Sequence, residues 1–113
     1  MDTAKAAEGS ARNRRQMLEE FVAQHPTDAF GRYGLAMECL KENDAAAAEE
    51  NFKQLLSATP EYIPAYFQYG RMLATISRTE EARRVLAEGV ARASKSGDAH
   101  ALSEMQAALD DLG

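Results

Sequence analysis

The chain repeats a helical sequence pattern at an interval of 34 residues. Pro26 and Pro60 are separated by this interval. The same displacement aligns several small or apolar residues with one another: Leu35 with Tyr69, Ala36 with Gly70, Cys39 with Leu73, Ala48 with Ala82, Phe52 with Leu86 and Leu56 with Val90. A period of this length that contains two helical stretches indicates stacked helix pairs, that is, a solenoid.

The two copies share a motif of large, small and apolar positions at fixed spacing. The second copy reads Tyr66-x-x-Tyr69-Gly70-x-x-Leu73, followed by Ala82-x-x-x-Leu86. The first copy reads Arg32-x-x-Leu35-Ala36-x-x-Cys39, followed by Ala48-x-x-x-Phe52 and Pro60. This pattern resembles the tetratricopeptide repeat family, whose motif has a large residue, then x-x-Leu-Gly-x-x-Tyr, then Ala-x-x-x-Phe, then Pro.

Small residues in the motif have a packing role. Ala36, Gly70, Ala48 and Ala82 have little or no side chain, so two helices can approach closely where they cross. The sequence departs from the family pattern at two positions. Arg32 lies where the family has a large apolar residue, and Phe30 or Tyr33 is the alternative residue to fill that space. Ser94 lies where the second closing proline would be. An ordinary helical bundle with accidental similarity is the alternative fold.

The resemblance implies an all-α, right-handed α-solenoid of antiparallel helix pairs. We expect a disordered tail over residues 1–9 and a single helical domain over residues 10–113. Within that domain, a half repeat from Ser10 to Gln24 precedes two repeats of about 27–60 and 61–94. A capping helix over about 98–112 is expected to shield the last repeat, since an uncapped solenoid end exposes its core.

Local signals predict where the helices begin and end. Pro26 ends the first helix, and Thr27 or Asp28 caps the next, which runs to Glu42. Asn43 is suited to a left-handed stop, and Asp44 to a cap. The remaining helices are predicted over about Ala45–Ala58, Pro64–Ile76, Glu80–Ser94 and Ala99–Leu112.

Composition excludes several classes of function. The formal net charge of −5 argues against nucleic-acid binding and against anionic membranes. Cys39 is the one cysteine and is predicted to be a buried hydrophobe, and one thiol with two distant histidines makes no zinc site.

No cofactor is expected. No signal peptide or membrane-spanning run is visible, so a reducing cytoplasm is the expected location. No catalytic motif is present, so we expect no enzyme.

The first helix of each pair is expected to line a concave groove, where ligands of the family usually lie. The groove face lies next to the packing face of each helix. Its candidate residues form an apolar, aromatic floor with a few polar groups: Phe30, Tyr33, Met37 and Lys41 in the first pair, and Phe67, Gln68, Arg71 and Thr75 in the second. There are two alternatives to an open groove. Phe30 and Tyr33 fill the core, or the N-terminal tail or the last helix covers the groove.

The leading functional hypothesis is a non-catalytic adaptor that binds a peptide or helix of a partner protein in this groove. The rival hypothesis is a structural homodimer that uses the exposed apolar strip of the groove for self-association. Two and a half repeats bury little apolar surface on their own, and a second copy would supply the missing burial. Family members that bind the acidic tails of heat-shock chaperones use a lysine and two asparagines where Tyr33, Met37 and Gln68 stand. The resemblance therefore implies no appreciable binding of acidic chaperone tails.

Overall fold

The computed structural model describes the backbone of residues 3–113 and the side chains of residues 14–113. This part of the chain is all α-helical and contains no strand. Its helices are α1 (Thr3–Gln24), α2 (Ala29–Lys41), α3 (Ala45–Ala58), α4 (Ile63–Thr75), α5 (Thr79–Ser96) and α6 (Ala99–Leu112). They group into two units, Met1–Ala58 and Thr59–Gly113.

In the first unit, α1 packs against α2 where α2 has glycines. A Cβ atom on Gly31 would lie 2.6 Å from Cε1 of Phe21, and one on Gly34 would lie 3.6 Å from Cδ2 of Leu18. The Phe21 ring therefore rests on the helix backbone at Gly31. Phe21 lies opposite the start of α2, whereas Leu18, which is earlier in α1, lies opposite a later part of α2. The two helices are therefore antiparallel.

The hairpin of α2 and α3 has a core of small and aromatic residues. Ala36, Cys39, Ala48 and Phe52 are completely buried. Burial raises the pKa of the Cys39 thiol, because the thiolate would lose hydration there. The predicted packing role of Cys39 is confirmed, and the neutral thiol acts as a small apolar side chain.

In the second unit, α4 and α5 form a hairpin around Gly70. A Cβ atom on Gly70 would lie 2.5 Å from Cγ of Leu86. One on Gly89 would lie 2.6 Å from Cβ of Tyr66 and 2.4 Å from Sδ of Met105. Real Cβ atoms do not make non-bonded contacts this short, so each glycine is required by the close approach of its neighbours.

The same left-handed turn closes both hairpins. Asn43 and Ser77 occupy corresponding places in the two repeats and have φ values of 61° and 66°. After each of them, a backbone N–H bonds five residues back, from Asp44 to the Cys39 carbonyl at 2.9 Å and from Arg78 to the Leu73 carbonyl at 2.8 Å. These bonds satisfy carbonyl groups at the end of the first helix of each pair.

Side-chain caps start three of the helices, and the caps at Asp28 and Asp44 are those predicted from the sequence. Asp28 accepts a hydrogen bond from the Gly31 N–H at 2.8 Å. Asp44 accepts one from the Ala47 N–H at 3.1 Å, and Asp98 one from the Ala101 N–H at 3.0 Å. Each carboxylate satisfies an N–H group that has no partner within its helix.

The last helix, α6, packs against both α4 and α5. Met105 is completely buried and reaches Gly89 of α5. α5 continues to Ser96 because the sequence has no proline at position 94, and Gly97, with a φ of 77°, ends it. The helix is therefore slightly longer than the predicted Glu80–Ser94.

The structure differs from several other expectations. α1 begins at Thr3, before Ser10, in a stretch where Ala4, Ala6 and Ala7 favour helix. The side chains of the predicted tail over residues 1–9 lie outside the described residues.

Phe30 is 75% exposed, so the suggestion that it fills the core in place of Arg32 is wrong. Arg32 instead donates a hydrogen bond to Asn51 Oδ1 at 3.2 Å.

We expect Gly70→Ala to destabilise the protein by about 1–2 kcal/mol, since the clash with Leu86 outweighs the gain in helix propensity. Gly34→Ala is the matched control, because Leu18 leaves room for its methyl group. That variant should be neutral or stabilised by up to about 1 kcal/mol. Urea unfolding followed by circular dichroism measures both free energies of unfolding. Equal effects at the two positions would contradict the packing described for Gly70.

Candidate functional site

Helix α4 presents two different faces within its own unit. Tyr66, Gly70 and Leu73 are buried on the side that packs against α5. The Tyr66 hydroxyl also donates a hydrogen bond to the Pro60 carbonyl at 2.6 Å, and burial raises the pKa of this hydroxyl. Phe67 and Arg71 each follow one of these residues in the sequence, so they point about 100° away around the helix.

That second face of α4 lines a cavity of about 520 Å³ whose other wall is α6. Its apolar lining consists of Phe67, Gly70, Ala74, Leu86, Ala107, Ala108 and Leu112. Its polar lining consists of Arg71, Thr75, Glu104 and Asp111. The volume is in the range of ligand-binding clefts, which are mostly apolar with a few polar groups.

A smaller cavity, of about 250 Å³, lies along the same pair of helices. It is lined by Ile63, Pro64, Phe67, Gln68, Asp98, His100, Ala101 and Glu104. Phe67 and Glu104 line both cavities. The two cavities are therefore neighbouring parts of one cleft, which we call the Phe67 cleft and define by the lining residues of both.

Charged groups are arranged unevenly in the Phe67 cleft. On α4, the Arg71 guanidinium lies over the Phe67 ring, with 5.3 Å from Cζ to the ring centroid, which is a cation–π contact. On α6, His100 Nε2 lies 3.4 Å from Glu104 Oε1. The Thr75 hydroxyl donates to the Arg71 carbonyl at 2.9 Å. The cleft thus offers an aromatic surface on one side and carboxylates on the other.

The structure brings half of the predicted groove residues together. Phe67, Arg71 and Thr75 line the larger cavity, and Gln68 lines the smaller one. The other four lie on α2, in the first unit: Phe30 and Lys41 are exposed, and Tyr33 and Met37 are half-buried.

The contribution of α6 to the cleft lining was not predicted from the sequence, where this helix is either a cap or a cover for the groove. Glu104, Ala108 and Asp111 face the cleft at spacings of four and three residues, next to the buried Met105. That spacing is visible in the sequence and places these residues on one face of the helix. The i, i+4 pair of His100 and Glu104 was also missed.

Arg12, Arg14 and Arg15 form a short basic cluster in α1, of which Arg15 has a structural role. Arg15 Nη1 lies 2.8 Å from Glu42 Oε1 and 3.1 Å from Asp44 Oδ2. These bonds connect α1 to the turn between α2 and α3, and they raise the pKa of Arg15. The Ala47 N–H and Arg15 together lower the pKa of Asp44. Arg14 is exposed, and the Arg12 side chain lies outside the described residues.

Among the residues with described positions, no group of three or more His, Cys, Asp or Glu side chains could hold a metal ion. In the same part of the chain, no helix has the length and apolar character needed to cross a membrane.

The tetratricopeptide repeat family profile matches residues 39–109, more than half of the sequence. The chain belongs to the tetratricopeptide repeat family. Its fold class is accordingly the all-α helical-repeat solenoid. The family and this fold are typical of non-catalytic modules for protein–protein interaction.

Three comparisons illustrate this membership. A TPR repeat-containing protein of Pseudomonas aeruginosa is 28% identical over 95 residues, which cover 84% of this chain and 90% of that protein. The solution structure of a tetratricopeptide repeat domain protein from Salinibacter ruber is 34% identical, with a TM-score of 0.73, and covers 77% of this chain and 88% of that one. The TPR2B domain of yeast Sti1, solved as a complex with pHsp70, has a TM-score of 0.83 at 14% identity, covering 97% and 88% of the two chains. At that identity the likeness is one of fold alone.

Proposed function

We propose that this protein is a non-catalytic adaptor that holds a peptide or helix of a partner protein in its groove. The observation that carries the proposal is the Phe67 cleft, a cavity of about 520 Å³ with a smaller one beside it. The proposal also includes Phe30, Tyr33, Met37 and Lys41 as groove residues of the first repeat. The cytoplasm is the expected location.

The lining of the Phe67 cleft supports an apolar anchor as the centre of binding. The Phe67 ring is half-buried, and Ala74, Ala107 and Ala108 leave space beside it. Filling such a space with one large apolar side chain is worth about 1.5–3 kcal/mol from the burial of that side chain. Helical and extended peptides both bind in this way, through a few anchors in a preformed groove.

Peptide display tests the proposal without assuming a partner. We expect random peptides displayed on phage to be enriched on the full-length protein, and the enriched peptides to bind Phe67→Ala more weakly by about 1–3 kcal/mol. Met17→Ala is the control, because it removes an exposed apolar side chain outside the groove. Fluorescence anisotropy gives the dissociation constants, and circular dichroism checks that each variant is folded.

Two results would contradict this assignment. One is a failure to enrich any peptide on the wild-type protein. The other is a set of enriched peptides that bind folded Phe67→Ala and wild type with equal affinity.

Self-association is the second candidate function, and exposed apolar side chains favour it. Met17 of α1 is 64% exposed and Phe30 of α2 is 75% exposed, within the same unit. When a second copy covers large apolar side chains, the free energy falls because these side chains leave water. In this alternative, the protein is a structural homodimer that uses its apolar surface to bind itself.

Light scattering across a dilution series separates the two candidates. An adaptor with an open groove is expected to remain a monomer, because its apolar groove residues bind a different protein and not a second copy. A homodimer would show a mass that falls on dilution, and Phe30→Ser would shift that fall to higher concentration. A constant monomer mass for both wild type and variant rejects the homodimer.

A further inference from the structure

The α6 wall of the Phe67 cleft carries a row of carboxylates. Asp98, Glu104 and Asp111 line the two cavities, and all three belong to α6 or its cap. At a rise of about 1.5 Å per residue, the row spans about 20 Å along the helix. None of the residues that α4 contributes to either lining is acidic.

These carboxylates differ in how far they are already engaged. Asp98 accepts the capping hydrogen bond from the Ala101 N–H at 3.0 Å. Glu104 is next to the His100 imidazole at 3.4 Å, and its side chain remains 43% exposed. Asp111 is exposed and, within the part of the chain that the structure describes, forms no ion pair. Glu104 and Asp111 are therefore the two that can accept a charged partner.

The single cation in the lining does not neutralise this wall. Arg71 lies over the Phe67 ring on the α4 side, with its Cζ 5.3 Å from the ring centroid. Its guanidinium forms no ion pair with a carboxylate among the described residues. The lining therefore has an excess of negative charge on α6, in a chain whose net charge is already −5.

We propose that the occupant of the Phe67 cleft is a basic, apolar-anchored peptide segment of a partner protein. The inference rests on the proposed function and specifies the chemistry of its partner. An aromatic or leucine side chain of the segment packs beside Phe67 and Leu112. Lysine or arginine side chains on the same segment pair with Glu104 and Asp111.

Charge complementarity favours this occupant over an acidic one. An acidic segment would place like charges along α6, whereas a basic segment gains from each carboxylate and from the negative field of the whole chain. The spacing of Glu104 and Asp111 is two helical turns, about 10 Å, so cations at a similar separation on the segment reach both.

The test compares two variants, one double and one single, that remove negative charge from α6. Glu104→Gln with Asp111→Asn removes the two cleft carboxylates that are available to a partner, keeps the shape of the side chains and leaves the capping Asp98 unchanged. Asp110→Asn is the matched control, because Asp110 is exposed, lies on the same helix and is not part of the cavity lining. Both variants and the full-length wild type are panned against random displayed peptides of about 12 residues, a length of about 18 Å as a helix.

We expect peptides enriched on the wild type to contain lysine or arginine together with an aromatic or leucine residue. Their affinity should fall about three- to tenfold in the double variant and by less than about twofold in Asp110→Asn. The loss should shrink when salt is raised from about 0.05 M to about 0.5 M, since the ion pairs are exposed to solvent.

Different results separate the failure of this inference from the failure of the proposed function. Enriched peptides that depend on Phe67 but are neutral or acidic, or that bind the double variant as well as wild type, overturn the basic partner and leave the groove in place. The absence of any peptide that depends on Phe67 overturns both proposals.

Discussion

Close approach of helix backbones at residues with little or no side chain is the constraint on which each unit depends. Gly70 lies against Leu86, and Gly89 lies between Tyr66 and Met105, at distances that leave no space for a Cβ atom. In the first unit, Ala36 is the repeat equivalent of Gly70, and it is completely buried, as is Ala48, the equivalent of Ala82. Larger residues at these places would separate the helices and expose the apolar side chains that surround the contacts.

The Phe67 cleft is a consequence of this packing. Because Tyr66 and Gly70 are fixed against α5, Phe67 and Arg71 are turned toward α6. Met105 holds α6 in place at Gly89, and the adjacent Glu104 then lies in the cleft. The residues that face the cleft are thus set by contacts on the neighbouring faces of the same helices, and this ties the proposed binding to the stability of the hairpin.

Much of the fold can be predicted from local chemistry, since the signals lie close together in the sequence. Asn43 ends a helix because it tolerates a positive φ, and Asp28, Asp44 and Asp98 cap the helices that follow them. Features that depend on packing between distant residues are not predictable in this way. The exposure of Phe30 and the cleft formed by α4 with α6 depend on which helix covers which face, and the 34-residue period does not specify this for a final helix outside the repeat.

A double-mutant cycle between Gly70 and Leu86 tests the packing constraint most directly. Urea unfolding of wild type, Gly70→Ala, Leu86→Ala and the double variant gives the coupling free energy between the two positions. If the Leu86 side chain is what excludes a Cβ atom at Gly70, the cost of Gly70→Ala disappears in the Leu86→Ala background, with a coupling of about 1–2 kcal/mol. An equal cost of Gly70→Ala in both backgrounds would contradict the account.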